Sequence, residues 1–135
     1  GSDVYKRRFT QIEENLGVCF QLRGDIFDYY DNNVGKPTGN DIREGKVTLP
    51  LLYSLKNASE EVGNSLLEII NKADFTDENV NKLISYAKEN GGIDYAYRKM
   101  DDYKTEALKI IDTLPDSDVK KALYSGIDYV VERAF

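Results

Sequence analysis

Residues 20–46 have the sequence FQLRGDIFDYYDNNVGKPTGNDIREGK, in which a helical pattern gives way to a loop. Apolar residues before the loop recur at spacings of three and four, and this period predicts one long α-helix over residues 4–31. The aspartates Asp25, Asp28 and Asp31 lie along its last turns. The segment that follows is rich in Gly, Asn, Pro and Thr, which is typical of a loop. An acidic helix end therefore precedes a loop that carries basic residues.

The rest of the chain has the same helical period, and helix-breaking residues fall between the periodic segments. Ser59 and Thr76 occupy positions typical of helix N-caps, and Thr48 precedes a proline in the first turn of a further helix. Gly91 and Gly92 are expected to end a helix in a left-handed conformation. No segment alternates with period two over the length of a strand. The sequence therefore predicts an all-α helical bundle of six helices in one domain.

Composition limits the possible functions. The chain has 135 residues, with 24 acidic and 18 basic side chains and a net charge of −6. It lacks the basic excess with which general nucleic-acid binders neutralise phosphates, so no nucleic-acid partner is expected. The single cysteine, Cys19, cannot form an internal disulfide, and no apolar run approaches the roughly 20 residues of a membrane span. We therefore expect a cytoplasmic protein with no membrane span.

The predicted helix before the loop has one polar face. Helical spacing places Gln21, Gly24, Asp25 and Asp28 on it. Two carboxylates one turn apart repel each other unless a cation lies between them, and Mg²⁺ prefers oxygen ligands from carboxylates and substrate phosphates. The face is therefore either a metal site or an acidic surface exposed to solvent.

The loop after this face carries positive charge at Lys36, Arg43 and Lys46. Cationic side chains beside a pair of carboxylates supply both halves of a site for a metal-bound phosphate or diphosphate. This juxtaposition favours a ligand site over a solvated surface. It makes Asp25 and Asp28 candidates for metal ligands.

Several motifs follow one another in residues 17–51: FQ at 20–21, an acidic pair at 25–28, GKPTGND at 35–41 and EGKVTLPL at 44–51. In this order and spacing the run resembles the second aspartate-rich region of the trans-isoprenyl diphosphate synthases, the polyprenyl synthetase family that includes octaprenyl and farnesyl diphosphate synthases. The resemblance covers essentially the whole chain but only the C-terminal part of the family's domain. The family's first aspartate-rich motif has no counterpart in this sequence.

The resemblance implies that residues 3–135 form the C-terminal half of an isoprenoid synthase fold, whereas Gly1 and Ser2 are typical of an expression scar. It also implies a Mg²⁺-dependent prenyltransferase, which condenses isopentenyl diphosphate with an allylic diphosphate to make a longer polyprenyl diphosphate. In that family two acidic motifs hold the metal ions around the allylic diphosphate. A chain with one of the two motifs is therefore expected to be inactive by itself.

The resemblance assigns roles residue by residue. Asp25 and Asp28 correspond to metal-binding and catalytic carboxylates, and Asp41 to a residue that orients the loop. Lys36 has a catalytic role on the leaving diphosphate. The substrate-binding residues are Phe20, which would line the allylic pocket, and Gln21, Lys36 and Lys46, which would contact diphosphate.

Gly24 departs from the family's pattern. Members usually have Q-x-x-D-D-x-x-D, and here the first of those aspartates is replaced by Gly24, at a position that commonly contacts a metal ion. A glycine inside a helix also costs about 1 kcal/mol relative to alanine. We therefore expect a site with one carboxylate fewer than the family's pattern.

Two functional interpretations follow. The chain is part of a prenyltransferase, or it is a non-catalytic helical subunit that serves as a scaffold for a partner chain. Either one predicts a homodimer or association with a chain that supplies the N-terminal helices. A terpene-cyclase-like lyase is disfavoured, because Asp25-x-x-Asp28 followed by GKPTG differs from the usual second metal motif of those enzymes.

Overall fold

The computed structural model describes residues 2–30 and 39–131. Within these two ranges the chain forms α-helices and no β-strand, which confirms the all-α prediction. None of the helices described is both long and apolar enough to cross a lipid bilayer. The seven helices are α1 Ser2–Phe27, α2 Asn40–Arg43, α3 Leu49–Lys56, α4 Glu60–Asn71, α5 Asp77–Glu89, α6 Gly92–Asp112 and α7 Asp118–Val131.

Two details differ from the sequence prediction. The four-residue helix α2 lies in the segment that composition assigned to a loop, so the described ranges hold seven helices rather than six. Helix α1 ends at Phe27, which places Asp28 in the turn that follows and not on the helix. The amide of Asp28 still donates to Gly24 O at 3.2 Å, whereas the amide of Tyr29 donates only three residues back, to Ile26 O. The hydrogen bonds thus change from four-residue to three-residue spacing after Asp28, and the helix ends in a tight turn there.

The chain divides into two compact units. The first unit comprises Gly1–Arg23 with Tyr97–Phe135, and the second comprises Gly24–Ala96. Apolar side chains at helical spacing build the core of the first unit, as the sequence period predicts. Its buried residues are Ile12, Ala107, Ile111, Leu114 and Ile127.

The core of the second unit is formed where α3 packs against α5. Close packing requires a glycine at the start of α6, because a Cβ on Gly92 would collide with Pro50 O and Ala87 O. Predicted caps are confirmed at the starts of two helices: the Ser59 hydroxyl accepts from the α4 backbone and the Thr76 hydroxyl from the α5 backbone. Buried apolar residues of this unit include Ile26, Ile42, Leu51, Leu66, Val80, Leu83, Ile84 and Ala87.

Tyr29 caps helix α3 from outside that helix. Thr48 is the N-cap residue, but its side chain makes no capping hydrogen bond. The buried Tyr29 hydroxyl instead accepts from the Leu51 backbone amide at 3.2 Å and lies 2.9 Å from Thr48 Oγ1. Burial raises the pKa of Tyr29 to about 12. The turn after α1 is therefore fastened to the first turn of α3.

We expect Tyr29→Phe to lower the free energy of unfolding by about 1–3 kcal/mol, because the Leu51 amide is then left buried without its acceptor. Urea denaturation measures this change. Tyr103→Phe is a matched control, since Tyr103 is 37% exposed and its loss of a hydroxyl should change stability by less than about 0.5 kcal/mol. Equal effects of the two substitutions would contradict the capping role of Tyr29.

Candidate functional site

Asp28 binds the start of α2 through both its side chain and its backbone. Its Oδ2 accepts a hydrogen bond from the Asp41 amide at 3.2 Å. Its carbonyl oxygen accepts from the Gly39 amide at 2.8 Å. Asp25 lies in the last turn of α1, and both aspartates are half-buried in the second unit. The end of α1 and the start of α2 are thereby joined at the predicted acidic site.

Negative charge is concentrated around the Asp28 carboxylate. Burial is the largest influence and raises its pKa, and the neighbouring carboxylates of Asp41 and Asp25 raise it further. The backbone amides of Asp41 and Asn40 partly offset this by stabilising the charged form. A carboxylate in such surroundings gains from a nearby cation, because the cation compensates both the lost hydration and the repulsion.

The donor set fits a hard divalent cation that is shared with a ligand. Carboxylate oxygens are what Mg²⁺ prefers, and protein sites commonly supply only one or two of them while substrate phosphates and waters supply the rest. Among the described side chains no group of three acidic, cysteine or histidine residues is placed to hold a metal ion. Asp25 and Asp28 are carboxylates of the kind such a site uses, and their assignment as metal ligands stays a prediction.

Helix α2 is held against α5 by close packing. Gly39 has a positive φ of 77° and is buried, and a Cβ there would lie 2.6 Å from Val80 Cγ1 and 2.9 Å from Ile84 Cδ1. Ile42 is 2% exposed. Only glycine combines this backbone conformation with such an approach, so the sequence at residue 39 fixes how near α2 comes to α5.

The basic residues predicted to bind an anion have acidic partners where the structure describes them. Arg43 Nη1 lies 2.8 Å from Asp77 Oδ1 at the start of α5. Lys46 Nζ lies 3.3 Å from Glu44 Oε2, with both side chains more than half exposed. An exposed ion pair of this kind contributes little to folding stability, so the contact with Glu44 does not prevent Lys46 from binding a more highly charged anion. Lys36 lies outside the described residues.

Phe20 and Gln21, the other predicted site residues, lie on the part of α1 that belongs to the first unit. The Phe20 ring is 64% exposed, so the core of that unit does not use it. Gln21 is also exposed. Both side chains remain candidates for ligand contact, and their assignment stays a prediction.

Two residues that restrict the site, Tyr29 and Gly39, are not evident from the sequence pattern. Tyr29 was one of ten tyrosines, and no periodic pattern distinguishes a capping tyrosine from a packing one. Gly39 belonged to the loop motif, where a glycine indicates a turn but not a close approach to a helix about forty residues later in the chain. Asp41 was predicted to orient the loop; its amide donates to Asp28 Oδ2 and its carbonyl oxygen accepts from the Lys46 amide, and the predicted role stays a prediction.

The chain is similar to proteins of known family. Residues 1–87 match the sequence model of the polyprenyl synthetase family. The chain is 29% identical to the octaprenyl diphosphate synthase of Haemophilus influenzae, and the similarity covers 100% of this chain and 41% of that protein. The chain therefore spans about two-fifths of the length of the curated relatives it matches.

Solved structures show the same similarity. The geranylgeranyl pyrophosphate synthase of Bacteroides thetaiotaomicron superposes with a TM-score of 0.83 and 42% identity over 91% of this chain and 41% of that one. The polyprenyl synthase of Caulobacter crescentus, solved with calcium and isoprenyl diphosphate, gives a TM-score of 0.84 at 27% identity over 96% of this chain and 40% of that one. Together with the family match over well more than half of its residues, these similarities establish that the chain belongs to the polyprenyl synthetase family.

Proposed function

We propose that this chain is the C-terminal part of a prenyltransferase that condenses isopentenyl diphosphate with an allylic diphosphate. The observation that carries the proposal is the half-buried Asp28 carboxylate, held by the Asp41 amide beside two further carboxylates and followed directly by the Gly-Lys loop. Support comes from the Caulobacter crescentus polyprenyl synthase, a relative solved with a divalent cation and an isoprenyl diphosphate.

In this proposal Asp25 and Asp28 hold Mg²⁺ against the diphosphate of the allylic substrate. Bound Mg²⁺ offsets the negative charge that develops as the diphosphate leaves. The diphosphate oxygens are held by Lys36, Lys46 and Gln21. These contacts orient the C–O bond that breaks. The exposed Phe20 side chain would shield the allylic carbon from water as its C–O bond to diphosphate breaks. The double bond of isopentenyl diphosphate then forms the new C–C bond to that carbon, and a proton passes to the released diphosphate.

The chain is also proposed to act with other helices, as a homodimer or with a chain that supplies them. Large apolar side chains in the first unit are exposed, and exposed apolar surface of this kind marks an interaction face. These residues are Val4, Tyr5, Phe9, Phe20, Val119 and Tyr129. Because relatives are more than twice as long, catalysis is proposed for the whole protein and not for these 135 residues alone.

The direct test is binding of Mg²⁺ with inorganic diphosphate by isothermal titration calorimetry. Diphosphate should bind measurably only when Mg²⁺ is present, because the acidic site repels the free anion. Binding that is independent of Mg²⁺, or no binding with it, would contradict the proposed site.

We expect Asp28→Asn to weaken Mg²⁺-dependent diphosphate binding by at least roughly tenfold, since even losing a partner of a metal ligand typically has that effect. In chelator the same variant should melt at an equal or higher temperature at neutral pH. The reason is that the pKa of Asp28 is raised in the folded chain, so its ionised form opposes folding. This gain should disappear as the pH falls toward the ordinary carboxyl pKa of 3.8.

Asp102→Asn is the matched control for this variant. Asp102 is an exposed aspartate on α6, in the first unit, and its replacement removes the same charge from the chain. It should change neither the affinity nor the melting temperature. Equal affinities for the Asp28→Asn and Asp102→Asn variants would show that Asp28 is not a ligand.

We expect Gly24→Asp to tighten Mg²⁺-dependent diphosphate binding by roughly tenfold, or about 1.4 kcal/mol, because it restores the carboxylate that the family's pattern has. The residue is exposed, and no atom lies within 4 Å of an added Cβ, so the helix accommodates the new side chain. In chelator the melting temperature should change little. Repulsion from Asp25 and Asp28 costs roughly a few tenths of a kcal/mol. Aspartate is itself a weak helix former and gains only about 0.3 kcal/mol over glycine, so the two effects nearly cancel.

Gly24→Ala separates the two effects. It gains more helix propensity than the aspartate variant, because alanine is the strongest helix former, and it adds no carboxylate. It should therefore raise the melting temperature in chelator and leave the diphosphate affinity unchanged. If the alanine variant tightens binding as much as the aspartate variant does, residue 24 acts through the helix and does not face the metal.

A further inference from the structure

Helix α2 needs an external anchor. It has four residues, and helices shorter than about 12 residues are marginal in water by themselves. Its place is therefore set by its contacts: the buried Ile42, the Gly39 backbone packed on α5, and the Arg43 side chain. Of these, Arg43 makes the one directed polar contact from an α2 side chain to α5 that the described residues show.

We propose that Arg43 is a positioning residue for Asp28: its ion pair with Asp77 fixes α2, and α2 fixes the Asp28 carboxylate. The functional consequence, correct placement of the metal-bound diphosphate, rests on the proposed function. The positioning itself is a property of the folded chain. It assigns Arg43 a different role from the anion binding that its place in the loop predicts.

The Arg43 side chain has the geometry of an anchor. Its Nη1 lies 2.8 Å from Asp77 Oδ1, and the side chain is 29% exposed, whereas that of Asp77 is 88% exposed. Its Nε is buried and has no acceptor among the described residues. The aliphatic part of the Arg43 side chain is largely covered, and its guanidinium makes one directed contact. Such a side chain restricts its helix more than a fully exposed, mobile ion pair does.

Arg43 is linked to Asp28 by hydrogen bonds within one turn of backbone. Arg43 N donates to Gly39 O at 3.0 Å, and the Gly39 amide donates to Asp28 O at 2.8 Å. Between them, the Asp41 amide donates to Asp28 Oδ2 at 3.2 Å. The last distance is at the long end of the range for hydrogen bonds, so a small shift of α2 is enough to break it.

Exchange of backbone amides in the metal-free chain tests the positioning directly. Arg43→Gln and, separately, Asp77→Asn should each speed hydrogen exchange at the Asp41 amide by roughly tenfold, because α2 then opens more often. Lys72→Gln is the control: it breaks the Lys72–Glu68 pair, which at 2.6 Å is shorter and lies in the same unit, and it should leave Asp41 unchanged. The double variant Arg43→Asp with Asp77→Arg should restore slow exchange.

Calorimetry with Mg²⁺ and inorganic diphosphate separates positioning from direct binding, because the two roles predict opposite effects of Asp77→Asn. If Arg43 positions Asp28, Arg43→Gln and Asp77→Asn both weaken diphosphate binding. If Arg43 binds diphosphate itself, Asp77→Asn frees the guanidinium and strengthens binding or leaves it unchanged, which would overturn the inference.

Hydrogen exchange and calorimetry test different claims, so either claim can be contradicted without the other. Unchanged exchange at Asp41 in both Arg43→Gln and Asp77→Asn would overturn the positioning role whatever the calorimetry gives. Absence of Mg²⁺-dependent diphosphate binding by the unaltered chain would overturn the proposed function, while the exchange data would still decide whether Arg43 holds Asp28. Asp77→Asn changes one exposed side chain, so the test does not depend on whether Arg43→Gln folds.

Discussion

The site depends on the hydrogen bonds of the Tyr29 hydroxyl, which fasten the turn after α1 to the first turn of α3. Asp28 precedes Tyr29 by one residue, so the same contact limits where its carboxylate can lie. The Asp41 amide then completes the placement from α2. A polar side chain close to a chain reversal is usually mobile, and here both neighbouring elements restrict it. Such restriction is what a metal-binding carboxylate requires.

The ionised carboxylate of Asp28 lowers the stability of the fold that holds it. Burial and two nearby carboxylates make the ionised form of Asp28 unfavourable, and the backbone amides of α2 offset this only in part. Gly24 reduces the same repulsion, because it removes a carboxylate where the family's pattern has one. The chain thereby loses both a possible oxygen ligand and helix propensity. The proposed metal binding would favour a carboxylate at residue 24, whereas folding favours an uncharged, helix-forming residue. Glycine meets neither requirement fully.

The parts of the structure that local chemistry determines could be predicted from the sequence. Caps at Ser59 and Thr76 and the left-handed Gly91 depend on residues within one turn, and all three are observed. Helix α2 and the end of α1 could not be predicted in this way. They depend on contacts with residues distant in sequence, such as the packing of Gly39 on Val80, which a local pattern does not record. For the site, the acidic pair was evident from its spacing, but the pairing of Arg43 with Asp77 was not.

The charges around the site also bear on how a diphosphate would be held. Of the described cations near Asp28, Arg43 is paired with Asp77 and Lys46 with Glu44, while the chain as a whole carries a net charge of −6. A diphosphate would add several negative charges beside carboxylates that already repel one another. Lys88 lies close to this region, with its Nζ 4.2 Å from the centre of the Tyr30 ring. In the proposed site, divalent cations would offset much of the added negative charge. The carboxylates that destabilise the fold when ionised would therefore also make the proposed diphosphate binding depend on metal, because they repel the anion in the absence of a cation.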